Sequence, residues 1–216
     1  MHTQQPELLG ITLAHRAMLT DVERLVAAVT DIGLGRQHCS PRRADAIARY
    51  TELLCESIHH HHTMEDSVLW PVIAARAGDI VDLSELTEDH AALDPRLETI
   101  AHRATAFRVA GGDRRTAALL AAELADLHNL LTEHIAEEER DIFPVIRRHV
   151  PVAEWQTVEK TAQRTGRLTF DGPRTVAAGT EDERAILAKG VSPVLRLVLG
   201  VLAWRHRRFE DAVFTG

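Results

Sequence analysis

The chain has 216 residues, of which 45% are hydrophobic and 26% charged, so it carries enough apolar surface for a globular core and is not a disordered segment. Aromatic residues make up only 4%, and 12 glycines and 8 prolines are too few for a turn-rich sandwich or barrel. The net charge of −7 argues against nucleic acid as a general partner, because phosphate binding requires a basic surface. Composition therefore favours an all-α protein.

Charge and histidine are unevenly distributed along the chain. Residues 1–150 hold 24 acidic and 15 basic residues, whereas residues 151–216 hold 8 acidic and 10 basic residues. Twelve of the 13 histidines lie in the first of these two parts. We therefore predict a functional domain over residues 1–150 and a helical C-terminal extension over residues 151–216.

The first two predicted helices both place histidine on an apolar stripe. The first stripe has the three- and four-residue spacing of an amphipathic helix and consists of Leu8, Ile11, His15, Met18, Val22, Val26 and Val29. A second helix is predicted to begin at Ser40-Pro41, with serine as the N-cap, and to end near Gly78. Its stripe includes His61 and Glu65.

Two further long helices repeat this arrangement. A third helix is predicted from Ser84, as its cap, to the Gly111-Gly112 break, with His90 on its apolar stripe. A fourth follows Asp113 and carries His134 and Glu138 among its apolar residues. Four long helices joined by short links predict an antiparallel up-down four-helix bundle.

The C-terminal extension lacks the histidine pattern. A short helix is predicted to about Thr165, then a Gly/Pro/Thr-rich connection over 166–180, then helices over 181–189 and 192–211. The apolar run that ends at Trp204 is too short to span a membrane. It favours packing on the bundle or a homodimer contact, with an interfacial membrane helix as the alternative. The only two cysteines, Cys39 and Cys55, do not indicate a disulfide framework. A reducing compartment is therefore expected, which predicts a cytoplasmic protein.

A repeated motif connects the helices that carry histidine. His61-x3-Glu65 and His134-x3-Glu138 are separated by 73 residues, and each is followed by an acidic residue and, further on, by a proline. An additional histidine lies in the helix before each motif, and these two histidines, His15 and His90, are 75 residues apart. The sequence therefore contains one two-helix unit used twice.

The spacing of the motif has a chemical consequence. Residues four apart lie on the same helical face, so a histidine and a glutamate at this spacing can reach one centre. Two such motifs and the two additional histidines direct four imidazoles and two carboxylates into the bundle. Buried carboxylates are costly unless a cation compensates them, and this mixture of ligands suits iron.

The motifs resemble those of the hemerythrin family, specifically the HHE cation-binding proteins, over about residues 7–149. The resemblance implies a non-haem di-iron centre, oxo- or hydroxo-bridged, that binds or reacts with dioxygen, hydrogen peroxide or nitric oxide. Oxygen binding and a role in oxidative stress follow as expectations, and turnover such as peroxide decomposition is left open. The implied ligands are His15 and His61 for one iron, His90 and His134 for the other, and Glu65 and Glu138 as bridges.

Some alternatives remain open in the sequence. Oxygen-carrying members of the family have a second histidine where this chain has Asp94, so a fifth ligand could come from His62 or from Asp94. His59 and His60 are expected to face solvent. A non-catalytic iron, redox or oxygen sensor that signals through the C-terminal helices is the alternative function, and a structural zinc site fits poorly because cysteine is absent from the motif.

Overall fold

The computed structural model describes residues 5–189 and 192–215, and these residues form helices, turns and irregular segments with no strand, as predicted. The helices are α1 Leu9–Gly33, α2 Pro41–Met64, α3 Trp70–Ala77, α4 Ser84–Val109, α5 Arg114–His149, α6 Val152–Thr165, α7 Leu168–Ala177, α8 Glu181–Leu187 and α9 Pro193–Glu210. Two π-helical segments, Glu65–Leu69 and Asp211–Thr215, follow α2 and α9.

The four long helices pack around a common core. α1 contacts α5 and α2, and α4 contacts α2 and α5. The apolar stripe of each helix supplies the buried side chains of this core, such as Leu25, Ile47, Phe107 and Leu124. The antiparallel up-down order of the helices and the domain division at residue 150 stay predictions.

A layer of polar residues separates two apolar clusters. One cluster includes Met18 and Leu93, and the other includes Leu8, Leu86 and Ile142. Along the sequence, the buried His90 lies between Leu86 of one cluster and Leu93 of the other. The buried His15 lies between Leu8 and Met18 in the same way. The polar layer is therefore enclosed by hydrophobic packing above and below.

Helix starts match the predictions at two positions and differ at a third. The Ser40 hydroxyl accepts a hydrogen bond from the backbone N–H of Arg43 at 3.2 Å, and the Asp113 carboxylate caps α5. The prediction that Ser84 caps α4 is wrong, because Ser84 is the first helical residue. Its backbone N–H and hydroxyl both donate to Asp82, which occupies the capping role two residues earlier.

The helical segment predicted from Ser40 to near Gly78 forms, but it is interrupted over Glu65–Leu69, where the chain makes a wider π-helical turn. The N–H of Trp70 bonds to the carbonyl of Glu65, five residues back. Pro71 has no N–H and its ring would crowd the carbonyl four residues earlier in a regular helix, so a widened turn relieves that contact. Pro144, its counterpart in the second repeat, lies inside the regular helix α5. The π turn is therefore specific to the first repeat.

The extension contains a helix where a connection was predicted over 166–180. Gly172 and Pro173 indicate a break, but α7 forms because Phe170 and Arg174 are buried against the rest of the chain. The Arg174 guanidinium donates to Asp21 on α1 at 2.8 Å and to the Ser57 hydroxyl on α2 at 2.8 Å. Arg174 and Asp21 are both about 95% buried, so α7 is held by an ion pair removed from solvent.

We expect Arg174→Ala to lower the free energy of unfolding by about 3–5 kcal/mol, because it leaves the buried Asp21 carboxylate with only the more distant and partly exposed Arg24 as a cationic neighbour. Urea denaturation measures the change, with the exposed Arg164→Ala as the matched control, for which we expect a change within about 0.5 kcal/mol. The double variant Asp21→Leu/Arg174→Met should recover most of the loss, since it removes both buried charges. Equal stability of Arg174→Ala and Arg164→Ala would contradict this account of α7.

One side of α9 is packed and the other is exposed. His206 lies on the packed side of α9 and is buried. Four apolar residues of the same helix are each between 47% and 71% exposed: Leu197, Val198, Val201 and Trp204. Across the described residues, none of the helices is long and apolar enough to cross a membrane. Both cysteines are buried and free. Packing against its own chain therefore covers only part of the apolar surface of α9.

Candidate metal centre

Two groups of histidine and glutamate side chains lie next to each other in the polar layer. In each group the potential ligand atoms are all within 4.8 Å of one another. The first group consists of His15, His61, Glu65 and Glu138. The second group consists of His62, Glu65, His90 and His134. All six residues that the sequence predicts as ligands are thus brought together, and His62 joins them.

The distances within the groups follow the predicted pairing of helices. The Nε2 atoms of His15 and His61 are 3.1 Å apart, and the Nε2 atoms of His90 and His134 are also 3.1 Å apart. The Nε2 atom of His61 lies 3.0 Å from a carboxylate oxygen of Glu65 one turn later. Imidazoles from two helices therefore converge on each centre, with a carboxylate beside them.

The two glutamates do not have equivalent positions. Glu65 belongs to both groups: its oxygens lie 3.0 Å from His61 and 3.7 Å from His90. Glu138 belongs to the first group only, with an oxygen 3.4 Å from His15. The resemblance implies two bridging glutamates, whereas in this geometry Glu65 alone lies between the two groups.

His62 is the fifth imidazole of the layer. It is 2% exposed, its ring stacks on that of His90 at 4.3 Å, and neither of its ring nitrogens has a hydrogen-bond partner. The corresponding residue of the second repeat is Ile135, which is also buried. This position therefore faces inward in both repeats, and the first repeat places an imidazole where the second has an apolar side chain.

Asp94, the other candidate for a fifth ligand, lies outside both groups. It is 49% exposed, and one of its carboxylate oxygens accepts a hydrogen bond from the Nδ1 of His59 at 2.8 Å. His59 is exposed as predicted, while His60 is half-buried and bonds to Thr165. The geometry therefore favours His62 over Asp94.

Carboxylates outside the layer fix the histidine rings. A Glu139 oxygen lies 2.8 Å from the Nδ1 of His15, and an Asp66 oxygen lies 2.8 Å from the Nδ1 of His90. An ionised carboxylate can only accept, so Nδ1 carries the proton and the lone pair of Nε2 points into the layer. Both rings thus have the tautomer that binds a metal through Nε2.

The acidic residue after each motif glutamate holds a histidine ring in place, a role that the sequence pattern did not predict. Glu65 and Glu138 point inward, while the next residue of each pair, Asp66 or Glu139, contacts the histidine of the other repeat. The signal was present, because the acidic doublet recurs at the same 73-residue offset as the motif. The contacts that the doublet makes depend on which helices are neighbours, and the sequence alone does not give that.

Burial sets the charge state of the layer. Burial raises the pKa of Glu65 and of Glu138 to about 8. Burial lowers the pKa of His134 to about 3, and it also lowers the pKa values of His61, His62 and His90. All four oxygens of the two glutamates lack hydrogen-bond partners. Such groups are costly to bury alone, and bound cations would satisfy them, so the residues fit a metal site.

We expect Asp66→Asn to weaken metal binding by about 10- to 100-fold, because an uncharged amide holds the His90 ring and its tautomer less firmly. Chelator competition with ferrous iron measures the affinity. Asp94→Asn is the matched control, since it removes the same charge from a carboxylate–histidine pair outside the layer. Equal affinities for the two variants would show that the Asp66 contact does not support the site.

Comparison with known proteins agrees with this geometry. The family model described as the hemerythrin HHE cation binding domain matches residues 10–146, a range that contains every residue of both groups. Neither a curated protein nor a solved structure shows significant similarity to the chain.

Proposed function

Because this chain belongs to the hemerythrin HHE cation-binding family, we propose that its polar layer binds two iron ions and that this centre binds or reacts with a small oxidant. One ion would be held by His15, His61 and Glu138. The other would be held by His62, His90 and His134. Glu65 would contact both ions, and its membership of both groups is the observation that carries the proposal.

The donor set supports iron over structural zinc. Each group combines imidazole nitrogens with carboxylate oxygens, which suit iron, and neither group contains Cys39 or Cys55. Structural zinc sites are closed by four ligands that commonly include thiolates. Here two groups share one carboxylate, which is the arrangement expected of a paired centre.

The surroundings of the groups support a reaction with small molecules. Phe143 stacks on His15 with ring centroids 5.8 Å apart, and Trp70 stacks on His90 at 6.1 Å. These rings and the apolar clusters on both sides limit the access of bulk water to the layer, in which the His61 side chain alone among the proposed ligands is more than 5% exposed. A pair of iron ions would supply open coordination positions and electrons for dioxygen, hydrogen peroxide or nitric oxide. The side chains would hold the ions, orient the imidazoles and limit access.

The test is the reaction of the iron-loaded protein with each oxidant separately. We expect dioxygen, hydrogen peroxide or nitric oxide to change its visible absorption spectrum, with peroxide consumption measured in parallel. The change should be lost in His61→Ala, in which the helical content is expected to persist, and retained in Asp94→Asn, which leaves both groups intact. An iron-loaded protein that responds to none of the three would contradict the proposal.

A sensor role is the second candidate, favoured by the contact between the extension and the helix that carries His61. Arg174 on α7 bonds to Ser57, one helical turn before His61. Iron binding could therefore alter the docking of α7. Hydrogen exchange of the metal-free and iron-loaded protein tests this, and equal protection of α7 and α9 in both forms would count against it. We also propose a cytoplasmic location, supported by the free cysteines.

A further inference from the structure

The exposed side of α9 combines apolar and basic residues. Leu197, Val201, Trp204 and Arg208 follow one another at intervals of four, three and four residues, so they line one side of the helix. Arg205 lies beside Val201 on the same side, and Arg208 stacks over the Trp204 ring at 5.3 Å. No acidic residue occurs in the sequence from 193 to 209. This surface is therefore both hydrophobic and positively charged.

A groove formed by two other parts of the chain has the opposite character. It has a volume of about 460 Å³ and lies between the α3–α4 connection and α5. Ile80 and Val145 contribute apolar surface, and Ile80 is 61% exposed. The carboxylates that line it belong to Asp82, Glu85, Glu137 and Asp141, and the single guanidinium is that of Arg140, paired with Asp141.

The charged groups that would meet across a contact between these two surfaces form no ion pair within the part of the chain that the structure describes. Glu85 and Glu137 form no ion pair with any residue that the structure describes. Arg205 and Arg208 likewise have no carboxylate partner within residues 5–189 and 192–215. Each surface thus offers what the other lacks: one presents free guanidinium groups beside apolar side chains, and the other presents free carboxylates beside an apolar groove.

We propose that the exposed side of α9 docks into this acidic groove of a second copy of the chain. Trp204 would enter the apolar part of the groove, and Arg205 and Arg208 would pair with Glu85 and Glu137. The contact joins different surfaces of the two copies, so it is heterologous and can continue from copy to copy until a ring closes. The proposal is independent of the metal centre and of its occupancy.

Two other occupants of the α9 surface fit the charges less well. A symmetric α9–α9 contact would bring the arginines of both copies together, with only Glu210 and Asp211 beside them, and Glu210 already pairs with Arg24. An anionic membrane would attract the arginines, but the chain carries a net charge of −7 and the acidic groove would be left without a partner. The second copy is the occupant that matches both surfaces.

A charge-swap experiment on the full chain tests the proposal. Variant A is Arg205→Glu/Arg208→Glu, which disables the helix surface, and variant B is Glu85→Arg/Glu137→Arg, which disables the groove. Lys160→Glu/Arg164→Glu reverses two exposed charges elsewhere in the extension and serves as the control. Sedimentation velocity over a range of concentrations gives the association state, and far-UV circular dichroism confirms the helical content of each variant.

The expected result is specific to a heterologous contact. The native chain and the control should associate, and variants A and B alone should each associate at least about tenfold more weakly, because like charges then face each other. An equimolar mixture of A and B should recover association, because the native helix surface of B faces the native groove of A and the reversed charges of the A helix surface match those of the B groove.

Three outcomes would overturn the proposal. A native chain that stays monomeric at about 100 μM would remove the contact. Association of variant B as strong as that of the native chain would show that the groove is not the docking site and would favour the symmetric α9–α9 contact. Binding of the native chain, but not of variant A, to phosphatidylcholine–phosphatidylserine vesicles without self-association would assign the surface to a membrane instead.

Discussion

Replacing Glu65 by glutamine is expected to remove both metal ions, whereas replacing Glu138 by glutamine is expected to remove only one. Glu65 is the only side chain common to the two groups, and Glu138 contacts the first group alone. Glutamine keeps the volume of the side chain but loses the negative charge that compensates a cation in a buried site. The metal content should therefore fall from about two ions per chain to near zero in the first variant and to about one in the second.

Elemental mass spectrometry on equal amounts of folded protein measures this difference. Glu137→Gln is the control, because Glu137 is the exposed neighbour of Glu138 and belongs to neither group. If Glu65→Gln retains one ion and Glu138→Gln loses both, the shared ligand has been assigned to the wrong glutamate. If both variants retain two ions, the groups do not hold the metal.

The second large effect concerns the stability of the metal-free protein, which is expected to be greatest near pH 6 and to fall on both sides. Burial raises the pKa values of Glu65 and Glu138 to about 8, so the folded state binds their protons more tightly than the unfolded state. Their contribution is complete below an unfolded pKa of about 4.5 and is lost as the pH rises through 8. We expect a loss of about 2–3 kcal/mol between pH 6.5 and pH 8.

The histidines produce the decline on the acidic side. Burial lowers the pKa values of His61, His62, His90 and His134, so these rings are neutral in the folded state. The unfolded state takes up protons below a pKa of about 6.5, and the stability that comes from these groups is lost as the pH falls through that value. The two effects oppose each other between pH 4.5 and 6.5, and only the carboxyl effect acts above that range.

Urea denaturation at a series of pH values tests this profile. Metal loading should abolish the decline above pH 6.5, because a bound cation replaces the protons on the carboxylates and its affinity rises with pH. Glu65→Gln should remove more than half of the decline in the metal-free protein, because the Glu65 carboxylate also helps to raise the pKa of Glu138. A metal-free protein whose stability rises steadily from pH 6 to pH 8 would show that the two carboxyl groups are not buried as described.

Periodicity and repetition were sufficient to predict most of the candidate site. A histidine four residues before a glutamate defines one helical face whatever the rest of the fold does, and the second copy of this spacing identified which of the 13 histidines matter. The residues His15 and His90 followed from their positions on apolar stripes. Local geometry therefore determined the predicted residues, and no knowledge of the helix order was needed.

Other features depend on contacts between distant parts of the chain and could not be read from the sequence. The sequence left His62 and Asp94 as alternatives for a fifth ligand, and the packing decides between them, because His62 is buried in the layer whereas Asp94 is 49% exposed. Asp66 supports a histidine on another helix, and Arg174 holds α7 through residues on α1 and α2. In the same way, Gly172 and Pro173 locally disfavour a helix, but long-range packing stabilises α7 across them.

The metal content of the native protein tests the central claim most directly. It should be measured by elemental mass spectrometry on untagged protein purified without a metal-affinity column, since His59-His60-His61-His62 could retain stray ions. We predict about two iron ions per chain, one for each group of ligands. A single zinc ion, or only traces of metal after growth with ample iron, would contradict the paired iron centre.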